Sequence, residues 1–245
     1  MRADHPSVYP YSAPEASRRN ELNSWRESFR MNVACKEAIE DTIRSNFDGM
    51  HLADHCVKQV IEQFGFKRTA WVLSNTIQQK SWDGRFSPAN NEWAKQTFIP
   101  DDKHHNFEFA VSSHPAVLNG FVDQYRKEYQ ALGLFGAEHC EPDSFSALNY
   151  EGRVLVLSPD TLRESCWRQE DQLWLAHDGF GCAPHAIGRS VRCTCLGDGE
   201  QTRWNRNDFI GVLKDEYLPD WAKESLKQYQ RPEQTEKQEM QMGGM

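Results

Sequence analysis

Apolar residues recur at steps of three and four through the first half of the chain, then give way to short runs and alternation near residue 140. Leu22, Trp25, Phe29, Val33, Ile39 and Ile43 fall on one stripe of a long helix. Ser17, just past Pro14, is its expected N-cap, and Cys35 sits in the same pattern as a small apolar residue. Asn46 to Gly49 ends that helix. Val57, Val60, Ile61 and Phe64 predict a second helix over 52–64, with Cys56 in its pattern and Gly65 as its stop. Trp71, Val72 and Ile77 predict a third over 67–80. The segment from Trp82 to Phe86 reads as a turn, after which Ser87 caps and Pro88 begins a short helix through Trp93. Beyond a solvated loop at Ile99–Asn106, Ser113-His114-Pro115 opens a helix carrying Val117, Leu118, Phe121, Val122, Tyr125 and Tyr129, closed by Gly133 and Gly136.

The second half reads as strands. Val154–Leu157, Leu173–Leu175 and Val191–Leu196 are apolar runs bounded by turn residues, and Thr202–Arg206 returns after Asp198-Gly199 as a hairpin partner. Phe209–Leu213 is a further strand, and Pro219 introduces a terminal helix from Trp221 to about Tyr229. The expected fold is α+β: a helical, bundle-like half followed by a small antiparallel β-sheet with a C-terminal helix. The expected divisions are a flexible lead-in over 1–14, the helical half over 15–136, the β-rich half over 145–230 and a disordered tail over 231–245.

Charge changes the picture of partners. Residues 1–100 carry 13 basic and 12 acidic side chains, whereas residues 101–245 carry 15 and 24. A broad basic face for nucleic acid is therefore excluded, and a basic or nucleic-acid-associated protein becomes the expected partner. No apolar run approaches the ~20 residues that cross a bilayer, so no membrane partner is expected. The opening residues lack the order of an export signal, and the seven cysteines form no regular framework; the expected compartment is the cytoplasm.

Candidate chemistry is sparse. A two-residue Asp198-Gly199 turn would set Cys195 opposite Thr202, Cys193 opposite Trp204 and Arg192 opposite Asn205. Val191, Cys193, Cys195 and Trp204 would then look inward, and Arg192, Thr194, Arg203 and Asn205 outward. With Arg189 and Arg206, these outward groups could hold phosphate, a carboxylate or a protein; an ordinary solvated sheet face is the simpler reading. Cys182, His185, Cys193 and Cys195 form a Cys₃His set suited to zinc, but inward thiols explain the two strand cysteines without metal, and no cofactor is expected. His51 and His55 share a helical face and lack the Glu of a zinc hydrolase. His114 at a helix start could move a proton or bind an anion, or merely cap. Asp83 and Arg85, flanking Gly84, could join Asn75 in a polar constellation, or simply lock the turn.

Several stretches carry a family resemblance: Asn32–Glu40, Phe47–Leu52, Trp82–Ser87, Ser113–Asn119, Gly179–Cys182 and Thr202–Asn205. Together they resemble an uncharacterised bacterial domain family carried on conjugative transposons, plasmids and prophages of gut Gram-positive bacteria, over about Tyr9 to Leu226. His185 and Cys193 depart from the family pattern, which weighs against zinc. The resemblance implies an accessory role on mobile DNA. The leading expectation is a non-enzymatic protein that acts by protein–protein interaction, for example by blocking a host defence system. The alternatives are a nucleic-acid module using the arginine-bearing hairpin, and an enzyme with His114, Asp83 and Arg85 in one cleft.

Overall fold

The computed structural model describes residues 5–142, 149–179 and 190–229, with the backbone alone for Lys103 and His104. It is α+β and divides into two compact units, Met1–Ala131 and Leu132–Met245. The expected tail over 231–245 lies outside the described residues, as do Cys182, His185 and Arg189.

Unit 1 contains α1 (Ala13–Arg18), α2 (Leu22–Asn46), α3 (Val57–Gln79), α4 (Pro88–Lys95), the single turn α5 (Lys103–Asn106) and α6 (Pro115–Gln130). Helix α3 is its centre, with α2, α4 and α6 all packed on it. The two helices expected over 52–64 and 67–80 are one element, broken at Gly65, whose φ of 80° and ψ of 166° leave the helical region. That break frees carbonyls, and buried hydroxyls take them: Thr69 Oγ1 donates to Gly65 O at 2.7 Å, and Tyr125 Oη to Phe66 O at 3.0 Å. Ser17 does not cap the long helix. It lies inside α1, because Pro14 favours a helix start one turn earlier, and Glu21 stands before α2. The loop expected over Ile99–Asn106 is partly helical, since Asp102 O accepts from the backbone N–H groups of His105 and Asn106.

The apolar stripe of α2 turns polar toward its start. Its buried positions are Ser28, Asn32, Cys35, Ile39, Thr42 and Ile43, and the first two face a fully buried guanidinium. Arg68, 1% exposed on α3, donates from Nη1 to Ser28 O at 3.0 Å and to Asn32 Oδ1 at 2.5 Å. From Nη2 it donates to Pro6 O and Ser7 O, each at 3.0 Å. One cation thus ties α3, the first half of α2 and the lead-in, where Tyr9 N–H also donates to Ser28 Oγ.

Unit 2 contains β1 (Val154–Leu157), the turn α7 (Gln169–Gln172), β2 (Leu173–Ala176), β3 (Ser190–Cys195), β4 (Gln201–Asn205), β5 (Phe209–Val212) and α8 (Asp220–Tyr229). The strands form one antiparallel sheet in the order β4-β3-β2-β1-β5. The runs at β1 and β2 are continuous rather than alternating because both faces are covered. Leu155, Leu157, Trp174 and Cys193 look one way, and Val156, Leu173 and Leu175 look the other, where Ala222, Trp221 and Leu226 of α8 pack.

The hairpin register differs from expectation by two residues. Val191 faces Trp204, Arg192 faces Arg203 and Cys193 faces Thr202. The loop is longer than Asp198-Gly199, closing where Cys195 N–H donates to Glu200 O and Gly199 N–H to Cys195 O. Leu196 belongs to the core rather than the strand pair, and Gly197 lies so close to the Glu170 backbone that a Cβ would meet Glu170 O at 2.5 Å. A shift of two preserves the faces.

Replacing Arg68 by Met removes the donors from these buried or half-buried acceptors and should cost about 3–5 kcal/mol of unfolding free energy in urea titration. A loss below about 1 kcal/mol, the scale of an ordinary surface substitution, would show that the guanidinium does not organise unit 1.

Candidate functional site

The turn between α3 and α4 is built by its own hydrogen bonds. Asp83 N–H donates to Lys80 O at 2.8 Å, Phe86 N–H to Asp83 O at 3.3 Å, and the Phe86 ring is buried beneath. Ser87 caps α4, its hydroxyl accepting from Asn90 N–H at 3.1 Å. This geometry places Asp83 inward, 6% exposed, while Arg85 remains half exposed above it.

Asp83, Arg85 and His114 come together. Arg85 donates from Nε to Asp83 Oδ1 at 2.8 Å and from Nη2 to Asp83 Oδ2 at 2.5 Å, and its backbone N–H reaches Oδ1 at 3.1 Å. Its Nη1 meets His114 Nε2 at 3.1 Å. A guanidinium only donates, so His114 Nε2 is the accepting atom of this contact. His114 stands at the N-cap position of α6 without capping it through its side chain. The side-chain hydrogen bond from Arg85, seconded by the Arg85 backbone N–H and the nearby charges, holds the Asp83 carboxyl down at about 2. Two of the five N–H donors of Arg85 are left unspent, one on each Nη.

Asn75 does not join this group. It is fully buried on α3 and its Oδ1 accepts from Gln79 Nε2 one turn along the same helix, because i and i+4 side chains share a face. The sequence reading instead missed Lys80, Lys36, Glu40 and Ser112. Lys80 Nζ donates to Val111 O at 2.6 Å; burial pushes its ammonium down, against the opposing pull of Glu40 and Asp83. Glu40 accepts from Ser112 N–H at 2.6 Å and pairs with Lys36 at 3.2 Å. The Lys36/Glu40 spacing of four was legible; the depth of Lys80 was not. The exposure of Trp82 was missed as well: it is 80% exposed, next in sequence to Asp83.

Proton transfer fits this geometry poorly. A general base works best with a pKa near the working pH, whereas the Asp83 carboxylate sits at about 2 with both oxygens taken. The arrangement is suited to holding a cation in place at a surface, close in the chain to an exposed indole.

The hairpin residues belong to unit 2. Arg192 and Arg203 are exposed and directly opposed. Like charges so placed repel, and Asp178 offsets them: its Oδ2 lies 3.6 Å from Arg203 Nη2, and its Oδ1 accepts from Arg192 N–H at 2.8 Å. Thr194, expected outward on a solvated face, is fully buried, its hydroxyl 2.6 Å from His177 Nε2. Asn205 is exposed, and Arg206 is buried with its Nε on the Tyr150 hydroxyl and its guanidinium over the Tyr150 ring at 4.9 Å. Arg206 is therefore committed to the interior rather than to a ligand.

Cys193 and Cys195 look into the core, where burial pushes their thiols up to about 12 and about 11. Zinc takes thiolates, which such surroundings disfavour. Among the described residues no group of three His, Cys, Asp or Glu side chains could hold a metal ion.

A hollow of only about 20 Å³ in unit 1 is walled by Tyr9, Trp25, Phe29, Trp71 and His105. Its rings are engaged with one another, Trp25 stacking on Phe29 at 5.3 Å and His105 edge-on to both. Its carboxylate, Asp102, is held by His105 and by Ala13 N–H. Aromatic packing accounts for this hollow without a ligand.

Two comparisons with known proteins are empty: no curated protein and no solved structure matches. A family model described as a protein of unknown function, DUF3849, matches residues 8–130. That span is close to the whole of unit 1 and includes the Asp83 cluster, whereas the motifs at Gly179–Cys182 and Thr202–Asn205 fall outside it. Among the described residues no helix is long and apolar enough to cross a membrane.

The sign of one pH effect follows from the Asp83 shift. Its folded value is depressed below the usual 3.8, so its contribution to stability is complete above about pH 5 and is lost as pH falls through 2. The stability gap between the parent chain and Asp83→Asn in urea should therefore stay constant from pH 7 to about 5, then shrink steadily below about 4. A gap that persists unchanged to pH 2 would contradict the ion pair.

Proposed function

We propose, for a chain that belongs to DUF3849, a family of proteins of unknown function, that it is an accessory protein of mobile genetic elements which acts by binding another protein. The observation that carries this reading is the surface of the α3–α4 turn. Trp82, 80% exposed, comes three residues before Arg85, whose guanidinium Asp83 and His114 hold in place. Tryptophan and arginine dominate the binding energy of protein interfaces, and a side chain ordered in advance loses less entropy on docking. A Trp left this exposed contributes little to the core and is available to a partner.

The mobile-element setting comes from the motif resemblance, and within it inhibition of a host defence protein is the activity we favour. The cytoplasm is the proposed compartment, supported by free thiols at Cys35, Cys56, Cys140, Cys166, Cys193 and Cys195. Proton-transfer catalysis at Asp83, Arg85 and His114 has the necessary proximity but a carboxylate of very low basicity. Nucleic-acid binding through the hairpin is weakened by the commitment of Asp178 to Arg203 and of Tyr150 to Arg206.

Capture from a host lysate tests the reading. The full chain should recover a discrete protein, and Trp82→Ala, which folds like the parent by circular dichroism, should reduce its recovery by about tenfold or more, as truncation of an interface hot spot does. Equal recovery by both baits, or a discrete partner recovered by neither, would contradict it.

A further inference from the structure

We infer that the α3–α4 turn receives a carboxylate of the partner protein on the two unspent N–H donors of Arg85, with Trp82 packing against the apolar group beside that carboxylate. This assignment rests on the interaction reading above and gives the contact its chemistry. Three observations carry it.

The donors are present and aimed by covalent geometry. With Nε and one N–H of Nη2 given to Asp83 and one N–H of Nη1 to His114, a single donor remains on each Nη. Arg85 is half exposed, and among the described residues Asp83 and His114 are the side chains its guanidinium meets. A half-exposed guanidinium with donors to spare suits a carboxylate.

The local charge has the right sign. Lys36, Lys80 and Arg85 are cations, Glu40 and Asp83 are anions, and the cluster is left with one positive charge in excess. The acidic excess of residues 101–245 does not set the chemistry of this turn. Lys36 and Lys80 are largely covered and already engaged, on Glu40 and on Val111 O. Arg85 is the exposed member.

The excess is also small. A doubly charged phosphate would stand close to Asp83 and Glu40 against a surplus of one, whereas a single carboxylate balances it. The 80%-exposed indole, three residues before Arg85, is the apolar group offered to the side chain that neighbours the carboxylate. An acidic segment with a neighbouring apolar residue is therefore the proposed partner surface.

The test has two arms on the full-length protein. In the first, the Arg85 Nε–H and Trp82 indole N–H resonances are followed by NMR during titration with acetate, inorganic phosphate or chloride at matched ionic strength. Acetate should shift both signals saturably, chloride should not, and Arg85→Gln should abolish the Trp82 shift. Phosphate outcompeting acetate, or no response to acetate, would overturn the assignment. In the second arm, the captured partner is titrated against variants. Arg85→Gln should weaken binding about tenfold or more, and Arg85→Lys, which keeps the charge but loses the planar pair of donors, should restore only part of it. A partner lost with Trp82→Ala yet bound at full strength by Arg85→Gln would leave the interaction reading standing and remove the carboxylate. Failure of capture itself would remove both.

Discussion

A guanidinium cannot be buried without acceptors, and unit 1 is arranged around one that is. Arg68 lies in the middle of α3, its Nη atoms donating to the backbone of Pro6, Ser7 and Ser28 and to the side chain of Asn32. Removing such a cation from water is tolerable only when its donors are met by oriented oxygens. The requirement decides which face of α2 turns inward at Ser28 and Asn32. It also decides that the chain before α1 lies along the bundle, although residues 5–12 belong to no helix or strand. Gly65, one turn before Arg68, adds the second constraint: its positive φ breaks the helix, and the hydroxyls of Thr69 and Tyr125 take the carbonyls beside the break.

With α2 fixed against α3, Glu40, itself paired with Lys36, reaches the segment at Ser112, and Lys80 at the end of α3 reaches Val111. The turn that follows is thereby anchored on both sides. Asp83 is drawn inward and Arg85 is held above it, so a short polar turn becomes a rigid surface. Locking Asp83 in this way makes it a weak base and Arg85 a well-placed cation, and the same contacts that count against catalysis count in favour of recognition.

The rhythm of apolar positions was sufficient for α2, for both parts of α3, for α6 and for the strand runs and α8, whereas α1 and the turn α5 carry no such rhythm. Boundaries governed by backbone freedom were legible at Gly65 but not at Ser17, where Pro14 had already begun a helix. The hairpin register escaped because the Asp198-Gly199 dipeptide suggested the shortest loop, whereas Leu196 was drawn into the core. Arg68 and Lys80 were invisible for a common reason: a basic residue on a helix is ordinarily solvated, and only tertiary packing reveals otherwise. Of the candidate site, Asp83, Arg85 and His114 were named from local chemistry, and their convergence is a product of the fold. Asn75 shared their polarity but points along its own helix toward Gln79.

If the α3–α4 turn is the contact face, it must be covered when the partner is bound. Hydrogen–deuterium exchange on the captured complex addresses this directly, because backbone amides in a turn exchange at a rate set by their exposure and local opening. The amides of residues 81–86 and 112–116 should exchange markedly more slowly in the complex than in the free chain. Unchanged exchange there, with protection appearing over 190–206 instead, would place the contact on the hairpin and contradict the account.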